Sequence, residues 1–341
     1  MPTGTLEVIG NLSVGQFWPE GSSDADTVNI IVDVTDDSFR FQLHDDAPLR
    51  PTRFYRGATV VGRQRKAPVN ASNKMTIRLQ GLDAPELHYR ASPLSRSEKQ
   101  SASSAQLNAF KAANHSYRQF LGATAANALH DFVRRAGADT IACRVVTHVD
   151  KPNEVFDTYA RFVGDMEITV EGARVNINRW LVENGWAFPG FYASMNDDEI
   201  TGLIDLAAAA RRARKGIWRH YSRTIHPFDF TLLQPKKGQI EVLDSDKGPV
   251  LFPKLFRRQT SWAVRKKAKI FRGTLQRFLE GQSDPCFETS DFLENGLTSA
   301  TPHNFVDFVG RDRTTFDPAD LVFSEAKSKI IDANGQPITD F

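Results

Sequence analysis

A cation and two carboxylates lie within nine residues of one another in the stretch RLQGLDAPEL, where Arg78, Asp83 and Glu86 follow an apolar strand pattern. An arginine can donate two parallel hydrogen bonds to a phosphate, and a carboxylate can bind a hard cation or take a proton from water. Alone the stretch is a weak signal, because the acids could equally lie in an exposed turn and pair with Arg78. It indicates phosphate chemistry only if other motifs supply further charged groups.

Two further motifs carry such groups. SSDADTVNI places Asp24 and Asp26 at the start of a predicted strand, and DTYARFVGDM places Arg161 in a strand after a turn. In this order, the three motifs resemble the staphylococcal nuclease (thermonuclease) family. The resemblance covers roughly residues 5–220 and extends to the patterns VNINRWLVENGWA and AAARRARKGIW.

The resemblance implies an α+β fold, a five-stranded OB-type barrel with three helices. It also implies a site for one Ca²⁺, held by the carboxylates of Asp26 and Asp83 and by the backbone carbonyl of Ala84, with Asp24 as a nearby acid. Ala84 stands where the best-known family member has threonine. Because only the carbonyl would bind the metal, we expect this difference to leave activity intact.

The resemblance further implies how a substrate would be bound and cleaved. Arg78 and Arg161 correspond to the two arginines that bind the scissile phosphate, and Glu86 corresponds to the proposed general base. The implied activity is that of a phosphodiesterase, an endonuclease that uses Ca²⁺ and water on DNA or RNA and leaves 3′-phosphate ends. The residues expected beside the bound nucleotide are aromatic: Tyr159, Phe191 and Tyr192.

The distribution of charge is more informative than the net charge of +2. No acid occurs between Asp46 and Asp83 or between Asp246 and Glu280, and both stretches are rich in lysine, arginine and aromatic residues. Basic stretches with interleaved aromatics suit a phosphate backbone and stacked bases. The alternative is a solvated basic face balanced by acids elsewhere in the fold.

Periodicity predicts strands from residue 5 to about 85 and a loop with room for a helix over 88–116. Helices are predicted over FLGATAANALHDFVRRAG, VNINRWLVENGWA and DDEITGLIDLAAAARRARKGIW, and strands over DTIACRVVTHV and TYARFVGDMEI. Near the C-terminus, QIEVLDS, SWAVRKKAKIF, DLVFSEA and KIIDANGQPI are predicted as strand-like, with a helix at GTLQRFLEG and a hairpin turn at DANG.

These patterns predict a nuclease domain over residues 1–221, a linker over 222–237 and a smaller C-terminal mixed α/β domain of unknown fold over 238–341. The nuclease domain carries a basic insertion at about 39–74. This insertion either extends a nucleic-acid track beside the site or packs on the C-terminal segment. The C-terminal segment could be a second nucleic-acid clamp, an interaction domain or a regulatory cap over the cleft, and its basic stretch favours the clamp.

Several classes of protein are disfavoured. No apolar run is long enough to cross a membrane, and the N-terminus lacks the pattern of a secretory signal, so we expect no membrane partner and a cytoplasmic location. We expect Cys143 and Cys286 to be reduced thiols, and the eight histidines lack the spacing of a zinc site. The sequence leaves the oligomeric state open.

A non-enzymatic alternative remains, namely a catalytically silent module that binds nucleic acid or protein. Loss of catalysis in such modules usually accompanies loss of at least one site residue. Here all five charged residues expected at the site are present, which favours catalysis; they are Asp26, Arg78, Asp83, Glu86 and Arg161.

Overall fold

The structure, a computed structural model, describes residues 3–33, 37–239, 248–326 and 328–341. Within these residues the strands of the N-terminal part are β1 (Thr5–Ser13), β2 (Thr27–Ile31), β3 (Phe39–Gln42), β4 (Arg50–Pro51), β5 (Thr59–Val61), β6 (Arg65–Lys66), β7 (Lys74–Leu79), β8 (Leu82–Asp83), β9 (Thr140–His148), β10 (Phe162–Val170), β11 (Ala173–Asn176), β12 (Phe188–Pro189) and β13 (Phe191–Tyr192). The C-terminal strands are β14 (Pro285–Glu288), β15 (His303–Asn304), β16 (Leu321–Phe323) and β17 (Lys329–Ile331). The helices are α1 (Arg96–Ser101), α2 (Ser104–Ala113), α3 (Gly122–Arg134), α4 (Ile177–Glu183), α5 (Asp197–Arg212), α6 (Pro253–Lys267), α7 (Leu275–Glu280) and α8 (Thr289–Ser299).

Five strands close into a barrel in the order β1, β2, β7, β10, β9 and back to β1. All neighbours are antiparallel except β7 and β10, which run parallel. Alternate residues of β10 are buried from Phe162 to Val170, as expected for a strand with one face on a core. With the helices, this confirms the predicted OB-type fold.

The three helices predicted beside the barrel are α3, α4 and α5. The α5 helix has three acids in its first turn and two arginines in its last, which complements the helix dipole. The segment 88–116, predicted as a loop with room for a helix, holds both α1 and α2. Each begins at a serine capping box, at Ser95 and at Ser103.

The strand predicted over SWAVRKKAKIF is wrong, because Ser261–Lys267 belongs to α6. The buried residues Phe256, Thr260 and Val264 recur every four positions, which is the spacing of one helix face. This helical pattern begins upstream of Ser261 and continues through the segment. The helix at GTLQRFLEG is confirmed as α7, and DANG forms the predicted turn, closed by Gly335 N–H donating to the Asp332 carbonyl at 3.1 Å. Most of QIEVLDS lies outside the described residues.

The C-terminal segment shares its core with the barrel part of the chain. Strand β13 pairs in parallel with β16, and β5 pairs with β17. The ring of Phe252 packs edge-on against Phe188, with centroids 6.1 Å apart, and against Phe316 at 5.7 Å. The predicted domain boundaries at residues 221 and 238 stay a prediction. Buried residues from both sides of these boundaries nevertheless belong to one continuous apolar cluster.

The insertion also packs on the C-terminal segment through β5 and β17. Its aromatics Phe54 and Tyr55 are buried, and Tyr55 stacks on Phe39 with ring centroids 3.9 Å apart. These two rings therefore stabilise the fold and offer no face to a base in this structure.

Both cysteines, Cys143 and Cys286, are free thiols in the interior, and burial raises the pKa of each to about 12. A reactive thiolate is disfavoured at both positions. Of the helices in the described ranges, none has the length and apolar character needed to cross a bilayer.

Candidate phosphate and metal site

Three neighbouring chain segments bring the charged residues to one end of the barrel. Thr27, directly after Asp26, lies opposite Arg78 in the β2–β7 pairing, and the N–H of Leu79 donates to the Asp26 carbonyl at 3.0 Å. The chain then turns sharply at Gly81, whose φ of +74° favours glycine, and a Cβ at this position would lie only 2.5 Å from the Leu203 side chain. This turn leads directly into β8 and its aspartate.

Arg78 bridges the two aspartates expected to bind metal. One arm of its guanidinium contacts the carboxylate of Asp26, and Nη2 lies 2.8 Å from Oδ1 of Asp83. The N–H of Ala84 donates to Oδ2 of Asp26 at 3.0 Å. The structure therefore brings together Asp26, Arg78, Asp83 and Ala84, as the resemblance implies, with all four side chains largely shielded from solvent.

Arg161 joins this group through one intervening residue. Its Nη1 donates to Oγ1 of Thr27 at 3.0 Å, and that hydroxyl donates to Oδ1 of Asp26 at 3.1 Å. Arg161 is held by Asp157, whose carboxylate accepts hydrogen bonds from the backbone N–H of Arg161 at 2.9 Å and from its Nε at 2.7 Å. Sequence reasoning missed Thr27 and Asp157; both lie inside motifs that it had singled out, next to residues that it had named.

Glu86 is bound by an arginine that sequence reasoning did not place at the site. Nη1 of Arg257, from α6, lies 2.5 Å from Oε1 of Glu86 and 3.1 Å from Oδ1 of Asp83, and its Nη2 lies 2.9 Å from Oδ2 of Asp83. The sequence had indicated Arg257 only as one cation of a basic stretch. No local signal identifies its partners, because they lie more than 170 residues earlier in the chain.

The electrostatics of the cluster favour a further cation. Burial raises the pKa of Asp26, but the charge and hydrogen bond of Arg78, the N–H of Ala84 and the charge of Arg161 together outweigh burial and hold this pKa below its ordinary value. Burial, followed by the charge of Asp26, raises the pKa of the neighbouring Asp24, and burial also raises the pKa of Glu86. The charge of Asp26 contributes to both raised pKa values, so the carboxylates of the cluster repel one another, and a bound cation would relieve that repulsion.

Of the three aromatic residues expected beside a nucleotide, Tyr159 is the most accessible, with 42% of its surface exposed. Nη1 of Arg63 donates to its hydroxyl at 2.6 Å, and the guanidinium of Arg161 lies 5.5 Å from its ring centroid. Tyr192 is partly buried, and burial raises its pKa. Phe191 is fully buried in β13, so this structure gives it a packing role and no surface on which a base could stack.

The donor atoms suit Ca²⁺, which prefers hard oxygen ligands and tolerates irregular geometry. Among the described residues, no three acidic, histidine or cysteine side chains are arranged to hold a metal ion by themselves. A calcium ion would therefore depend on the Asp26 and Asp83 carboxylates, completed by backbone carbonyl and water oxygens. This is the set that the resemblance implies, and a divalent cation there would relieve the repulsion among the neighbouring carboxylates.

Comparison with protein families matches residues 76–220 to the staphylococcal nuclease homologue family. A search of curated proteins finds no match. The matched residues contain Arg78, Asp83, Glu86 and Arg161, whereas Asp26 precedes them. The pairing of β2 with β7 returns Asp26 to the same site across the insertion.

Proposed function

We propose that this protein, whose residues 76–220 match the staphylococcal nuclease homologue family, is a Ca²⁺-dependent nuclease that hydrolyses phosphodiester bonds of DNA, RNA or both. The observation that carries the proposal is the convergence of Asp26, Arg78, Asp83 and Glu86 in one hydrogen-bonded cluster. These residue types, at one barrel end, supply metal ligands, a phosphate-binding cation and a base.

Each side chain has a role that its chemistry supports. A bound Ca²⁺, held by Asp26, Asp83 and the Ala84 carbonyl, would polarise the phosphate and orient water. The guanidiniums of Arg78 and Arg161 would donate hydrogen bonds to the equatorial phosphate oxygens, on which negative charge accumulates during attack. Arg161 is suited to this because its anchor on Asp157 fixes the direction of its side chain.

Glu86 is proposed as the general base. Its burial raises its pKa, and a carboxylate with a raised pKa is a stronger base toward water. Water would attack phosphorus as Glu86 takes one of its protons. The bond to the 5′-oxygen would break, that oxygen would take a proton from solvent and leave as a 5′-hydroxyl, and a 3′-phosphate end would remain. For this the carboxylate must be released from Arg257, which holds one of its oxygens in the structure.

That same contact supports a second candidate, a module that binds nucleic acid without cleaving it. Arg257 occupies both oxygens of Asp83 and one oxygen of Glu86, and a permanent contact of this kind would leave neither free for catalysis. The two candidates differ in whether a phosphodiester bond is broken, which an assay can decide.

The deciding experiment incubates the protein with plasmid DNA, single-stranded DNA and single-stranded RNA in Ca²⁺, with and without EDTA. We expect cleavage in Ca²⁺, its loss in EDTA and its recovery when excess Ca²⁺ is added. Arg161→Ala should abolish cleavage, whereas Arg135→Ala, at an exposed ion pair with Glu171, should not. Binding without cleavage, unchanged by EDTA and by Arg161→Ala, would establish the silent module instead.

We propose that the insertion extends the nucleic-acid track beside this site. The turn between β5 and β6 contacts the loop that carries Tyr159, since the N–H of Arg63 donates to the Thr158 carbonyl at 2.7 Å. Arg63, Arg65 and Lys66 are exposed cations on this hairpin. Cations next to an exposed aromatic ring suit a phosphate followed by a stacked base.

We expect Arg63→Ala to weaken binding of single-stranded nucleic acid and to reduce the slope of log affinity against log salt by about 1, because one phosphate contact is lost. Fluorescence anisotropy at several salt concentrations, in EDTA to prevent cleavage, measures both quantities. The control is Arg135→Ala, which removes an exposed arginine stacked on Phe132 in α3. Equal salt slopes for wild type and Arg63→Ala would show that the β5–β6 hairpin does not contact the bound nucleic acid.

A further inference from the structure

The guanidinium of Arg257 enters the carboxylate cluster from a helix outside the residues that match the nuclease family. It uses two nitrogens on Asp83 and shares one of them with Glu86. Oδ1 of Asp83 also receives Nη2 of Arg78. Both oxygens of an expected metal ligand are therefore occupied by cationic side chains of the protein itself.

The backbone of α6 is firmly attached to the nuclease part of the chain. Nε of Arg265 lies 2.7 Å from Oε1 of Glu98, and the hydroxyls of Ser261 and Tyr89 are 3.2 Å apart. On the same helix, Phe256 and Val264 are buried in an apolar cluster with residues of the 88–116 segment. The helix thus holds the Arg257 backbone beside the site, and 26% of the side chain is exposed to solvent.

A calcium ion and the guanidinium of Arg257 compete for the carboxylate of Asp83 in two ways. Both are cations, so they repel at a separation of a few ångströms in a partly buried site. They also need the same oxygen lone pairs, because a bidentate hydrogen-bonded carboxylate has few acceptor positions left for a metal. Arg257 in its present position therefore opposes the binding of calcium to Asp83.

We propose that Arg257 is an internal counter-ion that competes with Ca²⁺ for Asp83 and Glu86, so that the C-terminal segment sets the calcium concentration at which the site fills. This inference rests on the proposed function, because it takes the carboxylates to be a calcium site. Arg257 acts as a positioning residue: it holds the carboxylates without the metal and releases them when calcium binds. The C-terminal segment then acts as a regulatory element through one side chain, with no movement of α6.

The test measures binding of Ca²⁺ alone by isothermal titration calorimetry, without nucleic acid. Arg257→Gln removes the charge at similar size, and Arg257→Lys keeps the charge but loses the bidentate geometry. The control is Lys266→Gln, which removes an exposed charge on the same helix. We expect Arg257→Gln to bind Ca²⁺ roughly tenfold more tightly than wild type, in the usual range for coupled sites. Arg257→Lys should fall between them, and Lys266→Gln should match wild type.

Thermal unfolding gives a second readout that is independent of calorimetry. Without Ca²⁺, Arg257→Gln should melt below wild type because the carboxylates lose a partner, and saturating Ca²⁺ should raise its Tm by more than it raises that of wild type. An equal or weaker calcium affinity in the folded Gln variant, or an equal calcium-induced rise in Tm, would overturn the proposal.

The outcomes separate this inference from the nuclease proposal. If wild type cleaves in Ca²⁺ but Arg257→Gln binds the ion no more tightly, the counter-ion role fails and the nuclease stands. If neither wild type nor Arg257→Gln binds Ca²⁺ and wild type does not cleave, both proposals fail.

Discussion

The Glu86→Gln variant should cleave nucleic acid about 10²–10⁴ times more slowly than wild type, the usual contribution of a general base. An amide cannot take a proton from the attacking water, yet glutamine keeps the size of the side chain and an oxygen that can accept from Nη1 of Arg257. Folding and substrate binding should therefore persist. The measurement is single-turnover cleavage at saturating Ca²⁺, with affinity determined separately in EDTA.

The matched control is Glu98→Gln. Glu98 also forms an ion pair with an arginine of α6, through Arg265, but it lies in α1 and not among the site carboxylates. We expect Glu98→Gln to cleave at a rate close to that of wild type. If Glu86→Gln also retained the wild-type rate, another group would have to take the proton, and the role proposed for Glu86 would be lost.

The Asp83→Asn variant should lose about 3 kcal/mol of unfolding free energy, measured by urea denaturation in EDTA. Asp83 lies between the guanidiniums of Arg78 and Arg257, at 2.8 Å and 2.9 Å, and its own side chain is only 6% exposed. Removing a buried charge that two cations share leaves both with weaker partners. The variant should also lose calcium-dependent cleavage, because an expected metal ligand is gone.

Glu171→Gln makes the same change at the solvent-exposed pair of Glu171 with Arg135, where a lost ion pair costs little because water and salt screen it. A small loss of unfolding free energy in Glu171→Gln and a large loss in Asp83→Asn would show that the ion pairs of the buried cluster stabilise the fold more than the exposed pair does. If Asp83→Asn were instead more stable than wild type, repulsion among the carboxylates would dominate the energetics of this cluster, and the stabilising role assigned to Asp83 would be wrong.

The C-terminal segment contacts the candidate site directly, which its sequence does not indicate. Of the three roles considered from sequence, the contact of Arg257 with Asp83 and Glu86 supports a regulatory one. The predicted clamp rested on interleaved aromatics, but Phe252 and Phe256 are buried and pack in the interior. The cations at the end of α6, which include Lys266 and Lys267, remain exposed.

The sequence by itself determined the barrel, the helices beside it and most of the site. Strand alternation and helix caps are local properties, and they predict elements wherever local preference agrees with the tertiary fold. Arg78 lies in β7, Asp83 in β8 after a tight turn and Glu86 three residues later, so their proximity follows from a few residues of chain. The motif around Arg161 adds a parallel neighbour of the same strand.

Only the tertiary structure decided which cations and aromatics belong to the site. Arg257 lies 174 residues after Asp83, and nothing in its local sequence distinguishes it from the other cations of α6. Burial likewise separates Phe191 from Tyr159, although both are aromatic residues in short motifs. Local sequence specifies backbone preference and side-chain chemistry, whereas exposure and charge pairing depend on the remote segment that packs against each residue.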